Sequence, residues 1–216
     1  MKSVRIWFQK VGAAKYVSHL DLARCMSRVL KISRLPVWYT EGYNPRIYMT
    51  FAMPLSLGVS GLRECMDIRL TEEVAPQEIK TRLNARLPNE LKVLDVTEPK
   101  MKFEEIAHAD YELRLETENP QELEERLRSM LSGSTLLVTK HSKKGEREID
   151  IKPYFTQMEM RQGDGQLLLS VRLPSSVNGS INPNLFLDAA KRYLDRELFA
   201  GVTRKRLLNE DFCEFL

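Results

Sequence analysis

Ser3-Val4-Arg5-Ile6-Trp7-Phe8-Gln9-Lys10 alternates with a period of two. Val4, Ile6 and Phe8 fall on one side, and Arg5, Trp7 and Gln9 on the other, which predicts a half-buried strand. The residues after this strand set the fold class. Gly12 interrupts the pattern, and Ser18 then precedes a helical period. Ser18-x-x-Asp21 is a capping-box arrangement, in which the two side chains satisfy free backbone N–H groups. The predicted helix runs to about Arg34. Leu22, Cys25, Met26, Val29 and Leu30 share one face, Arg24, Arg28 and Lys31 the opposite one, and Pro36 ends it.

Further along, Glu41-Gly42-Tyr43-Asn44-Pro45-Arg46 reads as a loop. Residues 47–53 and 63–70 alternate again as strands. Pro76 opens a second helix through Ile79, Leu83 and Leu87, and a short strand near Leu91 to Leu94 closes the unit. The order is β-α-β-β-α-β. The second half repeats it, with a strand over 110–116 and a helix from Pro120 to about Leu131. Strands come next at 135–140, extended at 149–161, and at 166–173. Asn182 caps a helix from Pro183 to about Leu198, and a strand over 202–208 ends the chain. Lys143-Lys144-Gly145 reads as a hairpin tip. The fold predicted is α+β, two tandem ferredoxin-like (βαββαβ) domains with antiparallel sheets, over 1–98 and 110–216, joined by a linker at 99–109. Each sheet would carry helices on one face and leave the other free for a partner.

The 216 residues carry a net charge of +3. The distribution is uneven: residues 1–50 hold nine Lys and Arg against two Asp and Glu, a net +7, and residues 101–216 hold seventeen against twenty, a net −3. A field of that sign attracts polyanions. No run of 18 apolar residues occurs, so no membrane span is expected. The N-terminus enters a strand at once, without the apolar core of a signal peptide. Three distant cysteines, Cys25, Cys65 and Cys213, argue against a disulfide framework and against a CxxC metal site. These features together predict a cytoplasmic protein. No phosphate-cradling, dinucleotide-binding or nucleophile-elbow motif is present, and no cofactor or metal site is read.

If Val4, Ile6 and Phe8 face the helices, the open sheet face shows Arg5, Trp7, Tyr48, Arg63 and Arg69. Aromatic rings between cations suit single-stranded RNA, because bases stack on the rings while cations hold phosphates. Trp7 and Tyr48 equally suit burial against the second domain. Arg24, Arg28 and Lys31, with Arg46, are the phosphate-binding candidates; a helix stripe is also commonly a solvated face. His19 opens the helix beside Lys15 and Tyr16. It is either a general base for RNA cleavage, assisted by Lys15 or Tyr16, or a structural histidine at the cap.

Lys15-Tyr16-Val17-Ser18-His19-Leu20-Asp21-Leu22, then Arg24, Arg28 and Leu30, then Gly42-Tyr43-Asn44-Pro45, Phe51-Ala52, Pro54-Leu55 and Leu57-Gly58, resemble the radical-SAM-linked protein family, a bacterial domain of unknown function. Weaker similarity continues into Glu148 to Tyr154 and Thr203-Arg204. The resemblance implies a radical-SAM enzyme as partner and an RNA-related or ribosome-related setting. Many members carry His-Pro after the Asn-Pro step, where this chain has Arg46-Ile47-Tyr48, so that family histidine has no counterpart here. The chain also lacks the CxxxCxxC that holds a radical-SAM cluster, so such chemistry would belong to the partner. The element order and His19 further resemble CRISPR-repeat-processing endoribonucleases, a fold-level analogy. The expectation is a non-catalytic RNA-binding accessory protein. The alternatives are a metal-independent endoribonuclease, and a protein-only adaptor docking through the loop at Tyr43, Asn44 and Pro45.

Overall fold

A computed structural model gives the structure of residues 1–142, 145–176 and 179–216. Lys143 and Lys144 of the expected hairpin tip lie outside the described residues. The first half runs β1 (Lys2–Lys10), α1 (His19–Ile32), β2 (Met49–Phe51), β3 (Val59–Leu70), α2 (Pro76–Asn84) and β4 (Val93–Thr97). Its strands lie in the order β2-β3-β1-β4, all antiparallel. The Ser18 hydroxyl accepts the Asp21 N–H at 3.2 Å. It also donates to the Asp21 carboxylate at 2.7 Å, so the second half of the expected capping box closes on the hydroxyl instead of on a backbone N–H. Leu22, Met26, Val29 and Leu30 of α1 and Ile79 and Leu83 of α2 bury against Val4, Ile6, Phe8, Met66 and Ile68. Cys25 on that helix face is only half-buried.

The second half runs β5 (His108–Glu116), α3 (Pro120–Ser132), β6 (Leu137–Ser142), β7 (Gly145–Asp150), α4 (Lys152–Phe155), β8 (Glu159–Gly163), β9 (Gln166–Ser176), β10 (Gly179–Ser180), α5 (Asn184–Leu194) and β11 (Ala200–Leu208). Among the described residues β6 and β7 pair only with each other, and the remaining strands lie in the order β8-β9-β5-β11, with β10 on the far end of β9. The single extended segment predicted over 149–161 is instead the end of β7, the helical turn α4 and then β8. Pro153 lacks the N–H that a strand ladder needs. The Asp150 carboxylate accepts from the Lys152 N–H at 3.0 Å and the Leu136 N–H at 2.8 Å, fixing that turn.

The expected pair of antiparallel sheets is one mixed sheet of nine strands among the described residues. β2 covers only Met66 to Ile68 of the twelve-residue β3. The free N–H and C=O groups at the start of β3 need partners. β11 supplies them in parallel, Val202 opposite Val59 and Arg204 opposite Gly61.

Register fixes what meets at this joint. Lys10 opposes Gly61, Gly61 opposes Arg204, and Arg204 opposes Tyr111. Laterally paired residues share a face, and Lys10 shares one with Phe8, which packs under the helices. Lys10, Glu64 and Arg204 therefore gather on the helix side, exposed by 1%, 4% and 2%. Arg204 Nε donates to Glu64 Oε1 at 2.9 Å, a second donor, Nη2, reaches Glu64 Oε2, and Nη2 also donates to the Met53 carbonyl at 2.6 Å. A Cβ on Gly61 would lie 2.5 Å from Glu64 Oε1, so the carboxylate fills that space. Burial lowers the Lys10 pKa; the neighbouring Arg204 adds to this and Glu64 opposes it. For Arg204, burial acts downward but the Glu64 carboxylate outweighs it and holds the guanidinium charged.

Candidate nucleic-acid interface

The sheet face turned away from the helices is covered in its centre. Residues 101–106 and the C-terminal segment lie across it: the Met101 N–H donates to the Leu216 carbonyl at 3.0 Å, and Phe215 is 1% exposed. The expected exposure of Arg5 is thereby corrected, and of the two readings of Trp7 the structure has burial against the second half, since the two residues are 1% and 2% exposed. Arg5 forms a bidentate pair with Asp67 at 2.8 and 2.9 Å and donates to the carbonyls of Leu216 and Met101. Its guanidinium lies 4.7 Å from the Phe103 ring and 4.6 Å from Phe215. Trp7 donates from Nε1 to Thr97 Oγ1 at 3.0 Å and meets Phe215 edge-on. Both side chains serve this cover, and neither is open to a base or a phosphate.

Beyond the cover, at the far end of β3, the same face is only half-buried at Trp38, Tyr48 and Arg69. The chain over 37–48 doubles back on itself: Trp38 N–H donates to the Arg69 carbonyl, Tyr48 N–H to the Trp38 carbonyl, and Thr40 N–H to the Arg46 carbonyl. Tyr39 bridges Ile47. Alternation then sets Trp38, Thr40, Arg46 and Tyr48 on one side. That side is the one of Arg69, whose guanidinium sits 4.2 Å from the Tyr48 ring and 5.5 Å from the Trp38 ring. The two rings are 5.7 Å apart and tilted. At the tip, Gly42 takes φ 128°, a conformation open to glycine, and Tyr43 is fully exposed at 100%. Asn44, Pro45 and Arg46 are exposed with it.

The structure thus brings Arg46, Tyr48 and the Gly42-Tyr43-Asn44-Pro45 loop together. Sequence reasoning missed Trp38, whose partnership with Tyr48 depends on the return of the chain. The other candidates stand elsewhere. Arg24, Arg28 and Lys31 are exposed on the solvent side of α1, so the helix and the sheet separate them from Tyr48. Lys15 is held by its backbone: its carbonyl accepts from the Gly58 N–H at 3.0 Å and Lys10 Nζ at 3.3 Å. Its ammonium lies 5.0 Å from the exposed Tyr16 ring. His19 sets its ring edge-on to Phe51 at 5.1 Å. Among the described residues, no hydrogen bond links the His19 ring to Lys15 or Tyr16, and no group of three His, Cys, Asp or Glu comes together to hold a metal ion.

A groove of about 750 Å³ crosses the same sheet face in the second half, lined by Arg63, Asp110, Arg172, Lys205, Arg206 and Glu214 among others. Carboxylates already engage its cations. Asp110 accepts from Arg172 at 2.7 Å and from Arg206 at 2.8 Å. Glu112 accepts from Lys205 at 3.2 Å, and Glu214 lies 3.0 Å from Arg63 Nε. Burial pushes the Asp110 carboxyl up, but hydrogen bonds and charge from Arg172 and Arg206 outweigh it and hold it below its usual range. A depressed carboxylate contributes stability above its unfolded pKa and loses it as pH falls through the folded value. The urea midpoint is therefore expected to drop below about pH 4. Asp110→Asn should lower the midpoint at neutral pH and flatten that acid limb; an unchanged limb would show that the network contributes nothing.

Among the described residues, no helix is long and apolar enough to cross a membrane. No curated protein matches the chain. Among solved structures it is similar to a chain of a Cbf5-Nop10-Gar1 complex, at 12% identity and a TM-score of 0.45, covering 96% of this chain and 50% of that one. The chain therefore spans half the length of that relative. It is also similar to an unknown protein from Galdieria sulphuraria, at 11% identity and a TM-score of 0.28, covering 94% and 98%. At these scores neither structure bears on function. Residues 3–183, which include the Trp38–Tyr48 hairpin, its Gly42-Tyr43-Asn44-Pro45 tip and the Lys15-to-Leu22 motif, match the model of uncharacterized proteins conserved in bacteria (DUF2344), and the chain belongs to that family.

Proposed function

We propose that this chain is a non-catalytic accessory protein that holds single-stranded RNA on the Trp38–Tyr48 hairpin and acts with a radical-SAM enzyme. The observation that carries the RNA reading is the stack of Arg69 on Tyr48 and Trp38, with Arg46 on the same side and Tyr43 at the open tip. Rings offer sequence-tolerant platforms for bases, and adjacent guanidiniums hold phosphates. The radical-SAM partnership rests on the sequence resemblance carried by Lys15 to Leu22 and the Gly42-Tyr43-Asn44-Pro45 loop. The strand orders β2-β3-β1-β4 and β8-β9-β5-β11 each place the fourth strand beside the first and the third beside the second, which supports two fused ferredoxin-like units as the architecture. A ribonuclease based on His19 draws less support, because its ring packs on Phe51 and has, among the described residues, no hydrogen-bonded orienting group of the kind such catalysis uses.

Binding of a short single-stranded RNA, followed by anisotropy of a label on the RNA, tests this reading. Tyr48→Ala is expected to weaken it roughly 5- to 150-fold, the value of one base–ring stack. Arg69→Glu should weaken it further and reduce its salt dependence. Equal affinity for wild type and both variants would remove the hairpin from any RNA role.

A further inference from the structure

A second surface lies on the other side of the molecule. Tyr16, Leu20 and Leu57 are 65%, 59% and 62% exposed, large apolar side chains from three separate segments. The segments of Tyr16 and Leu57 lie side by side at the start of α1, where Leu20 stands. The Lys15 carbonyl ties to the Gly58 N–H at 3.0 Å, and the Tyr16 ring lies 3.9 Å from the point a Gly58 Cβ would occupy. His19, next to Leu20, shares a niche with Pro54 and Leu55 of the same loop. From Leu20 the solvent face of α1 continues at four-, four- and three-residue steps through Arg24, Arg28 and Lys31, a stripe about 16 Å long. Among the described residues only Arg24 of these cations has an acidic partner, Asp21 at 3.1 Å.

Single exposed apolar residues are ordinary. Here three stand around the start of α1 and are continued by a row of cations with little compensation. Leu20 and Leu57 offer no π-face to a base, whereas aliphatic surface is well covered by the side chains of a protein. The cations beyond them attract carboxylates. We propose that this surface docks an acidic amphipathic helix of a partner protein, with its apolar residues on Tyr16, Leu20 and Leu57 and its carboxylates along Arg24, Arg28 and Lys31. The site is independent of the Trp38–Tyr48 hairpin, since the sheet stands between them.

Selection of displayed helical peptides on the purified full chain without RNA tests the proposal, followed by titration of an enriched peptide. The expected peptides carry apolar residues at three- and four-residue steps together with Asp or Glu. Leu20→Glu and Arg28→Glu should each weaken binding by roughly tenfold or more, and Tyr48→Ala should leave it unchanged. Both substituted side chains are exposed, and circular dichroism checks that the fold survives. Absence of enrichment, enriched peptides lacking acidic residues, or binding indifferent to both variants would overturn the proposal. So would loss of RNA binding in both variants, or a homodimer in sedimentation that Leu20→Glu dissociates, because either would assign the surface to another occupant.

Discussion

Arg204→Ala is expected to lower the unfolding free energy by about 3–5 kcal/mol, the cost of leaving a buried charge without its partner. Arg204 sits on the only parallel pairing of the large sheet among the described residues, where β11 meets β3. Its removal strands Glu64 beneath Gly61 and frees the Met53 carbonyl at the same time. Lys10 stays nearby, but its ammonium is already disfavoured by burial. Urea unfolding followed both by tryptophan fluorescence and by far-ultraviolet circular dichroism reads the effect. Trp7 and Trp38 both lie in the first half, with Trp7 also packed on Phe215 of the C-terminal segment, so fluorescence reports that half with its cover and dichroism reports both halves in full. In the wild type the two curves should coincide; in Arg204→Ala they should separate, because the joint that couples the halves is weakened. Glu64→Leu with Arg204→Met, which removes both charges, should recover much of the loss. A shift below about 1 kcal/mol with coincident curves would show that the Glu64–Arg204 pair is not what holds the halves together.

Phe215→Ala is expected to cost about 3–5 kcal/mol as a buried ring is cut to a methyl group. Phe215 touches Trp7 edge-on with centroids 6.3 Å apart, tilts against Phe103 at 6.1 Å and covers one side of the Arg5 guanidinium. Its loss opens a space beside Trp7 that water can reach, so emission should shift to the red together with the lower urea midpoint. Phe212→Ala, at a ring 53% exposed that meets His108 and Arg172, serves as the comparison and should cost no more than about 1.5 kcal/mol. Unchanged Trp7 emission in Phe215→Ala would mean that the segment does not seal the sheet as the contacts indicate.

These two sites also separate what local sequence can carry from what it cannot. The strand at Val4, Ile6 and Phe8 and the Ser18 cap of α1 are visible because their signals repeat within one or two turns of chain. The proline starts of α2 and α3 are visible for the same reason. The direction in which Arg5 and Trp7 point is also visible, since they alternate against the helix-facing residues. Their exposure is not. Arg5 donates to the carbonyl of Leu216, 211 residues away, and no periodicity in Ser3 to Lys10 encodes a cover drawn from the far end of the chain. The candidate interface divides in the same way: Tyr48, Arg46 and the Gly42-Tyr43-Asn44-Pro45 loop stand out by residue type, whereas Trp38 becomes part of it only when Trp38 and Tyr48 pair.

The β-α-β-β-α-β order of the first half, the Ser18 cap and the side of β1 and α1 that seeks a core are written in the residues themselves, because those preferences arise between near neighbours along the backbone. Folding in three dimensions had to settle that two halves share one sheet and that a buried Lys10–Glu64–Arg204 group forms where they join. It also settled which polar face is sealed and which stays open. Unpaired backbone groups and desolvated charges are satisfied by whatever partner folding brings within reach, and that partner comes from a distant part of the chain.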